Sequence, residues 1–242
     1  MQNEIRKALS ILTSHTVRHL LMGGQACVLY GAAQFSRDAD INILATTGNL
    51  DRFRAALQEL QAEVIAVPPF DARYLERGLA VHFRCRRSDF ANLRIDVMSV
   101  MRGVDPFPQL WDRRTTLEFA GGQRIDVLSV ADLVKAKKTQ RDKDWPMIRA
   151  LIEAHYAQNR DQATPESISF WLRDARTPEI LIDVARQHIA AAQAAKTDRP
   201  LLELAISDSV DGVRAALIAE QQREQELDRQ YWKPLIAELE RG

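Results

Sequence analysis

The chain has 242 residues, enough for one large domain or two small ones around a buried core. Apolar residues make up 46% and charged residues 27%, a globular profile. Its 33 Lys plus Arg balance 33 Asp plus Glu, which excludes a strongly basic nucleic-acid binder and leaves room only for a local basic patch.

The elements follow from periodicity in chain order. Ile5, Ala8, Leu9 and Leu12 share one side of a helix over residues 4–13. Residues 17–22 read as a buried strand ended by Gly23 and Gly24, and residues 25–30 resume a helical pattern that stops near Gly31. Residues 38–45 read as a second strand. Leu50, Phe53, Ala56, Leu57 and Leu60 mark an amphipathic helix over 49–60. A short strand at 64–67 is closed by Pro68-Pro69, and a helical turn is expected over 71–78. Residues 80–86 and 93–100 look like two more strands, paired with each other.

Pro106 and Pro108 then break the chain. Residues 115–119 and 124–128 flank Ala120-Gly121-Gly122-Gln123 as a hairpin. Ser129-Val130-Ala131-Asp132 resembles a capping box and opens a helix over 130–138. From there on no strand is evident. Thr164-Pro165-Glu166 and Thr177-Pro178-Glu179 each combine an N-cap Thr, a Pro at the first helical position and an acid in the first turn. Helices over 165–175, 178–195 and 209–240 follow, with Pro234 expected to kink or interrupt the last. The composition thus shifts near residue 145. The expected fold is α/β of the α+β kind, a small mixed sheet flanked by helices over 1–145 and an all-helical C-terminal domain over 146–242. One echo stands out: Arg94-Ile-Asp-Val-Met-Ser-Val and Arg124-Ile-Asp-Val-Leu-Ser-Val read as two similar strands.

The chemistry gathers in residues 23–42. Ser36, Asp38, Asp40 and Asn42 share one parity and line one face if the strand is regular that far. Like charges side by side repel, and a hard divalent cation held by carboxylates and phosphates removes the conflict. Gly23-Gly24 lets the backbone approach a phosphate closely, and Ser36 offers a hydroxyl. A two-metal site wants a third carboxylate on a neighbouring strand. Asp96, flanked by apolar residues, is favoured, and Asp126 is the rival because it has the same local setting but sits nearer an edge. The structural alternative for Asp96 is an ion pair with Arg94. His15, His19, His82, His155 and His188 show no metal spacing, and Cys27 reads as core. The stretch Phe83-Arg84-Cys85-Arg86-Arg87 reads as a solvated strand end before it reads as a site for an acidic acceptor.

Gly23-Gly24, thirteen further residues and then Asp38-Ala39-Asp40-Ile41 resemble the nucleotidyltransferase signature of the DNA polymerase beta superfamily. The Gly-Gly-Gln-Ala opening and the Ser36-x-Asp38-x-Asp40 ending are most similar to bacterial AbiEii-like and related nucleotidyltransferase proteins. The resemblance covers roughly residues 15–150. It implies a nucleotidyltransferase-type sheet, metal binding by Asp38, Asp40 and Asp96, and a triphosphate held by Gly23, Gly24 and Ser36. The run Val127 to Asp144 resembles the family's post-sheet helix, which implies a lysine facing the nucleotide. Lys137 fits best, with Lys135 and Lys138 as alternatives. Many relatives carry Arg two residues before the Ser or Thr, where this chain has Gln34.

The leading expectation is a Mg²⁺- or Mn²⁺-dependent nucleotidyltransferase moving an NMP from an NTP to an acceptor hydroxyl on RNA, protein or a small molecule, as a toxin or defence component. The alternative is a nucleotidyltransferase-like binding module without turnover, paired with an antitoxin-like protein. A third reading is an antibiotic-modifying enzyme acting on an aminoglycoside. The first residues lack a signal-peptide core, two thiols make no disulfide framework, and no apolar run approaches the roughly 20 residues that span a bilayer. A cytoplasmic protein with no membrane partner is expected.

Overall fold

The stripe of Ile5, Ala8, Leu9 and Leu12 is buried along one side of α1 (Asn3–Ser14), as its spacing requires. The computed structural model describes residues 3–90 and 92–239. These fall into two units, Met1–Ala136 with Trp232–Gly242, and Lys137–Tyr231.

The first unit holds a mixed seven-stranded sheet. In chain order it contains β1 (His19–Met22), α2 (Gly23–Leu29), β2 (Ala39–Ile43), α3 (Thr47–Glu59), β3 (Ala62–Val64), α4 (Ala72–Glu76), β4 (Val81–Cys85) and β5 (Arg94–Met98). Then come α5 (Phe107–Asp112), β6 (Thr115–Glu118), β7 (Arg124–Val127) and α6 (Val130–Ala136). The sheet order is β3-β4-β5-β2-β1-β7-β6. β5 runs parallel to β2 and β7 parallel to β1, while the other pairs are antiparallel.

Alternation gives β4 and β5 two unlike faces. Val81, Phe83, Cys85, Ile95 and Val97 are buried, whereas His82, Arg84, Arg94 and Asp96 are only partly so. On the apolar face Phe83 meets Phe53 of α3 and Phe70 edge to face, with ring centroids 5.8 and 5.4 Å away. The polar face is therefore the one on which functional groups can stand.

Asn49 ties α3 to the ends of the two central strands. It is fully buried. Its Oδ1 accepts from the Arg18 N–H at 2.8 Å, and its Nδ2 donates to the carbonyls of Arg18 and Leu44 at 3.0 and 2.9 Å. Prolines at 106 and 108 do not merely break the chain. Pro106 is the N-cap and Pro108 lies in the first turn of α5, where a missing N–H costs nothing. Ser129 and Asp132 form the expected cap of α6, with the Asp132 N–H donating to Ser129 Oγ at 3.2 Å and Ser129 Oγ donating to Asp132 Oδ2 at 2.7 Å.

The second unit is helical: α7 (Asp144–Asn159), α8 (Pro165–Asp174), α9 (Pro178–Gln187), α10 (Ile189–Ala195), α11 (Leu202–Ile206) and the first part of α12 (Val210–Leu239). Thr164 caps α8 by accepting from the Ser167 N–H at 3.2 Å. Thr177 precedes α9 but donates instead to Glu153 Oε1 at 2.6 Å. The single helix expected over 178–195 is divided at His188, whose φ of −122° and ψ of 53° lie outside helical space. Pro234 does not interrupt α12, which runs on through it. Trp171 is buried against Tyr156 and His155 as a packing anchor. Among the described residues no helix is long and apolar enough to cross a membrane.

Replacing Asn49 by Ala takes the side-chain acceptor from the part-buried Arg18 N–H and removes a donor from two carbonyls. Asn49→Ala is expected to lower the unfolding free energy by about 2–3 kcal/mol in urea titrations. A change within error would show that the backbone groups find other partners.

Candidate active site

The junction between β1 and α2 has no spare room. Gly23 has φ +65°, a conformation that favours glycine. A Cβ placed there would fall 2.0 Å from Asp40 Oδ2, and one at Gly24 would fall 2.5 Å from Ser36 Oγ. The diglycine is thus pressed onto a carboxylate and a hydroxyl, and the Gly24 N–H donates to Asp40 Oδ2 at 3.3 Å.

Ser36 is brought back to Gly24 by the loop between α2 and β2. Gln25, buried in α2, donates from Nε2 to the Ser36 carbonyl at 2.6 Å, and Ser36 Oγ donates to the Asp38 carbonyl at 3.4 Å. Because β2 begins only at Ala39, the shared parity holds for Asp40 and Asn42 but not for Ser36 and Asp38. Those two belong to a loop that must curve toward the diglycine. Asp38 lines a cleft together with Arg94.

Asp96 stands in register with Asp40 on the parallel neighbour strand, and His82 of β4 stands in register with Asp96. In-register residues of adjacent strands share a face, with strands about 4.8 Å apart. Asp96 Oδ1 accepts from Arg94 Nε at 2.7 Å and lies 2.8 Å from His82 Nδ1, while Arg94 Nη2 is 3.1 Å from that same nitrogen. Burial pushes the Asp96 carboxyl upward, but the bonds from His82 and Arg94 outweigh it and hold the group below its ordinary 3.8. The Arg94 guanidinium is raised chiefly by its bond to Asp96, with the charges of Asp38 and Asp40 adding to it. One cation therefore feels all three carboxylates.

The rival acid, Asp126, lies on β7, separated from β2 by β1. Its Oδ1 accepts from Arg114 Nε at 2.9 Å and Thr116 Oγ1 at 2.6 Å. Each of the three lysines has an acid at hand. Lys135 is 3.9 Å from Asp132, Lys137 in the second unit donates to Asp144 at 3.1 Å, and Lys138 donates to Asp174 at 2.8 Å. Lys137 and Asp144 are both buried, so that pair is an internal one of the helical unit.

Among the described residues no three His, Cys, Asp or Glu side chains gather closely enough to form a ready-made metal cage. The fit of a metal rests instead on the cradle. Asp40 lies beneath a backbone that tolerates no Cβ, and hard carboxylate oxygens are what Mg²⁺ takes, usually one or two with phosphates completing the shell. His82 is the residue that sequence reasoning passed over. Its signal was the strand pairing itself, which sets residue 82 opposite residue 96.

No family model and no curated protein matches the chain. Among solved structures, "Crystal structure of putative nucleotidyltransferase from H. pylori" matches with a TM-score of 0.42 and 14% identity, covering 95% of this chain and 98% of that one. At that TM-score the likeness is too loose to set one site residue against another.

Two expectations follow from the geometry. Gly23→Ala and Gly121→Ala both place a Cβ at positive φ, but only the first meets a neighbour, since nothing lies within 4 Å of Gly121. In thermal unfolding Gly121→Ala should cost about 1 kcal/mol and Gly23→Ala clearly more; equal losses would refute the close approach. Asp96 has a folded-state value below its unfolded one. Its ionised form therefore adds stability that is complete above about pH 4 and is lost as pH falls through the folded value. The stability gap between the wild type and Asp96→Asn should accordingly shrink on acidification, and urea titrations showing it widen would overturn the assignment.

Proposed function

We propose that the protein is a nucleotidyltransferase, moving an NMP from an NTP to an acceptor hydroxyl with Mg²⁺ or Mn²⁺. The observation that carries this reading is the contact of the diglycine with Asp40 and Ser36: a backbone made bare of side chains beside a carboxylate, where a phosphate and a cation can both approach. Asp38, Asp40 and Asp96 would hold the metal, which when bound supplies positive charge to the phosphates. The Gly23-Gly24 backbone and the Ser36 hydroxyl would orient the triphosphate. Arg94, already beside Asp96, keeps that carboxylate ionised, the form in which it would bind the metal and help to deprotonate the acceptor hydroxyl. The acceptor hydroxyl would give its proton to the Asp96 carboxylate as its oxygen forms the bond to the α-phosphorus, the bond to the β-phosphate oxygen breaks, and pyrophosphate leaves with that electron pair. Lys137 would serve the leaving phosphates only after exchanging its bond to Asp144.

A second reading has its own support. Asp96 Oδ1 is already engaged by Arg94 and His82, and Gln34 stands where an additional cation would serve the phosphates. These features suit a module that binds a nucleotide or a protein partner without turnover, as in a toxin–antitoxin-type pair.

Calorimetry separates the possibilities. NTP binding should require Mg²⁺ and disappear in Asp38→Ala; unchanged affinity in that variant would sink both the metal site and the transfer reaction. Incubation with labelled NTP, Mg²⁺ and cell extract then divides enzyme from binder. Label on RNA, protein or a small molecule supports transfer, and no label on anything supports the module.

A further inference from the structure

Trp171 of α8 is 1% exposed, and an indole N–H can only donate. Its acceptor is a histidine: Trp171 Nε1 donates to His155 Nδ1 of α7 at 3.0 Å. That bond fixes the tautomer. Nδ1 carries the lone pair, so in the neutral ring the proton sits on Nε2. The imidazole is also held by ring contacts from α8, edge to face with Phe170 at 5.2 Å and with Trp171 at 5.8 Å between centroids. Tyr156, the next residue of α7, meets Trp171 edge to face at 5.1 Å, and its hydroxyl donates to Asp183 of α9. The joint of these helices thus contains a histidine whose bond exists only while the ring is neutral.

A second proton would go to Nδ1, the nitrogen that Trp171 already uses. Two N–H groups would then face each other, and the buried indole would lose its acceptor. The carboxylates on the neighbouring elements are engaged elsewhere. Glu153 of α7 accepts from Arg149 and Thr177, Asp183 from Tyr156, Asp174 of α8 from Lys138 and Arg173, and Glu166 of α8 from Thr164. Asp161, after α7, lies 3.7 Å from Arg160. None of these bonds to His155, and burial holds its imidazole below the ordinary 6.5. The buried histidine of the sheet unit is bonded the other way. His19 Nδ1 lies 2.8 Å from the Val17 carbonyl, to which it donates, and a proton added at Nε2 leaves that bond in place.

We propose that the Trp171–His155 bond is an acid-sensitive latch of the helical unit, closed while His155 is neutral and released when Nδ1 takes a proton, so that α7 and α8 part. The folded state binds this proton less readily than the unfolded one, which sets the sign. The latch is fully effective above about pH 6.5, weakens as pH falls from there through the folded value, and changes no further below it. Within that window the ratio of open to closed rises by up to about tenfold per pH unit, the limit for one proton. The inference is independent of the chemistry at the sheet.

Hydrogen exchange of the full chain, read by mass spectrometry at about pH 7.5 and about pH 5 and corrected for the intrinsic rate at each, reports the opening. In the wild type, protection of peptides from α7 and α8 should fall about tenfold between the two. In His155→Gln the amide oxygen can accept from Trp171 but does not titrate, so those peptides should lose far less protection. Trp171→Phe removes the donor, so a proton on His155 strands nothing, and the fall should again be smaller than in the wild type. His19 titrates in all three proteins and cancels in the comparison. Should His155→Gln fail to fold, Trp171→Phe against the wild type carries the test. Wild-type protection that does not change with pH, or a His155→Gln variant that loses as much as the wild type, would overturn the latch. So would an equal loss in Trp171→Phe, which would assign the effect to burial of the imidazole rather than to its bond.

Discussion

Two carboxylates set in register on adjacent parallel strands repel, and sheet pairing leaves neither strand free to slip away. Asp40 and Asp96 are in that position, and much of the surrounding arrangement acts on it. Asp96 is answered from its own strand by Arg94 and from the next by His82. Asp40 is met by a main-chain N–H from the diglycine. Asp96 receives charge and hydrogen bonds that hold it ionised, and the Arg94 cation that supplies them also feels Asp40. Packed apolar groups in such a place often give a fold as much stability as ionised ones, so stability alone does not account for the pair. Acids gathered on one polar sheet face do suit a cation.

The diglycine belongs to the same constraint. A strand that turned into its helix through any residue with a Cβ would push Asp40 off the junction or displace Ser36. The backbone therefore lies where a side chain ordinarily would, and a bound phosphate would meet main-chain N–H groups rather than methyl or methylene groups. Gln25 reinforces the geometry from one residue further on, holding the Ser36 carbonyl so that the loop stays folded over the helix start. Three neighbouring residues, Gly23, Gly24 and Gln25, thus set the positions of Asp40 and Ser36 from across the intervening helix and loop.

Local pattern made much of this legible. The apolar stripes of α1 and α3, the paired strands β4 and β5, and the hairpin β6–β7 are written in periodicities of 3.6 and 2 that buried faces impose. Proline was harder to read, because its effect depends on where in a helix it falls. Pro108 sits in the first turn of α5, where its missing N–H is an orphan anyway, and Pro234 lies inside α12 without interrupting it. The helix break at His188 has no glycine or proline to announce it, and α7 carries too weak an apolar stripe to stand out from its neighbours. His82 was illegible for a deeper reason. A residue acquires its partner through register, and register between β4 and β5 is a property of the folded sheet rather than of either segment.

The echoed strands show how far local sequence reaches. Arg94-Ile95-Asp96-Val97 and Arg124-Ile125-Asp126-Val127 are identical, and each lies parallel to a strand of the same antiparallel pair, β2 in one case and β1 in the other. Their polar residues nevertheless differ in setting. On β5 the arginine turns to its own aspartate, where β2 presents another acid in register. On β7 the aspartate is taken by Arg114 and Thr116 from the edge side, and Arg124 is left exposed near Glu118. Identical tetrapeptides thus yield a charged cluster on one strand and an ordinary ion pair on the other. What separates Asp96 from Asp126 is which strand stands beside it, so the chemistry of this sheet resides in the order of its strands as much as in the residues they carry.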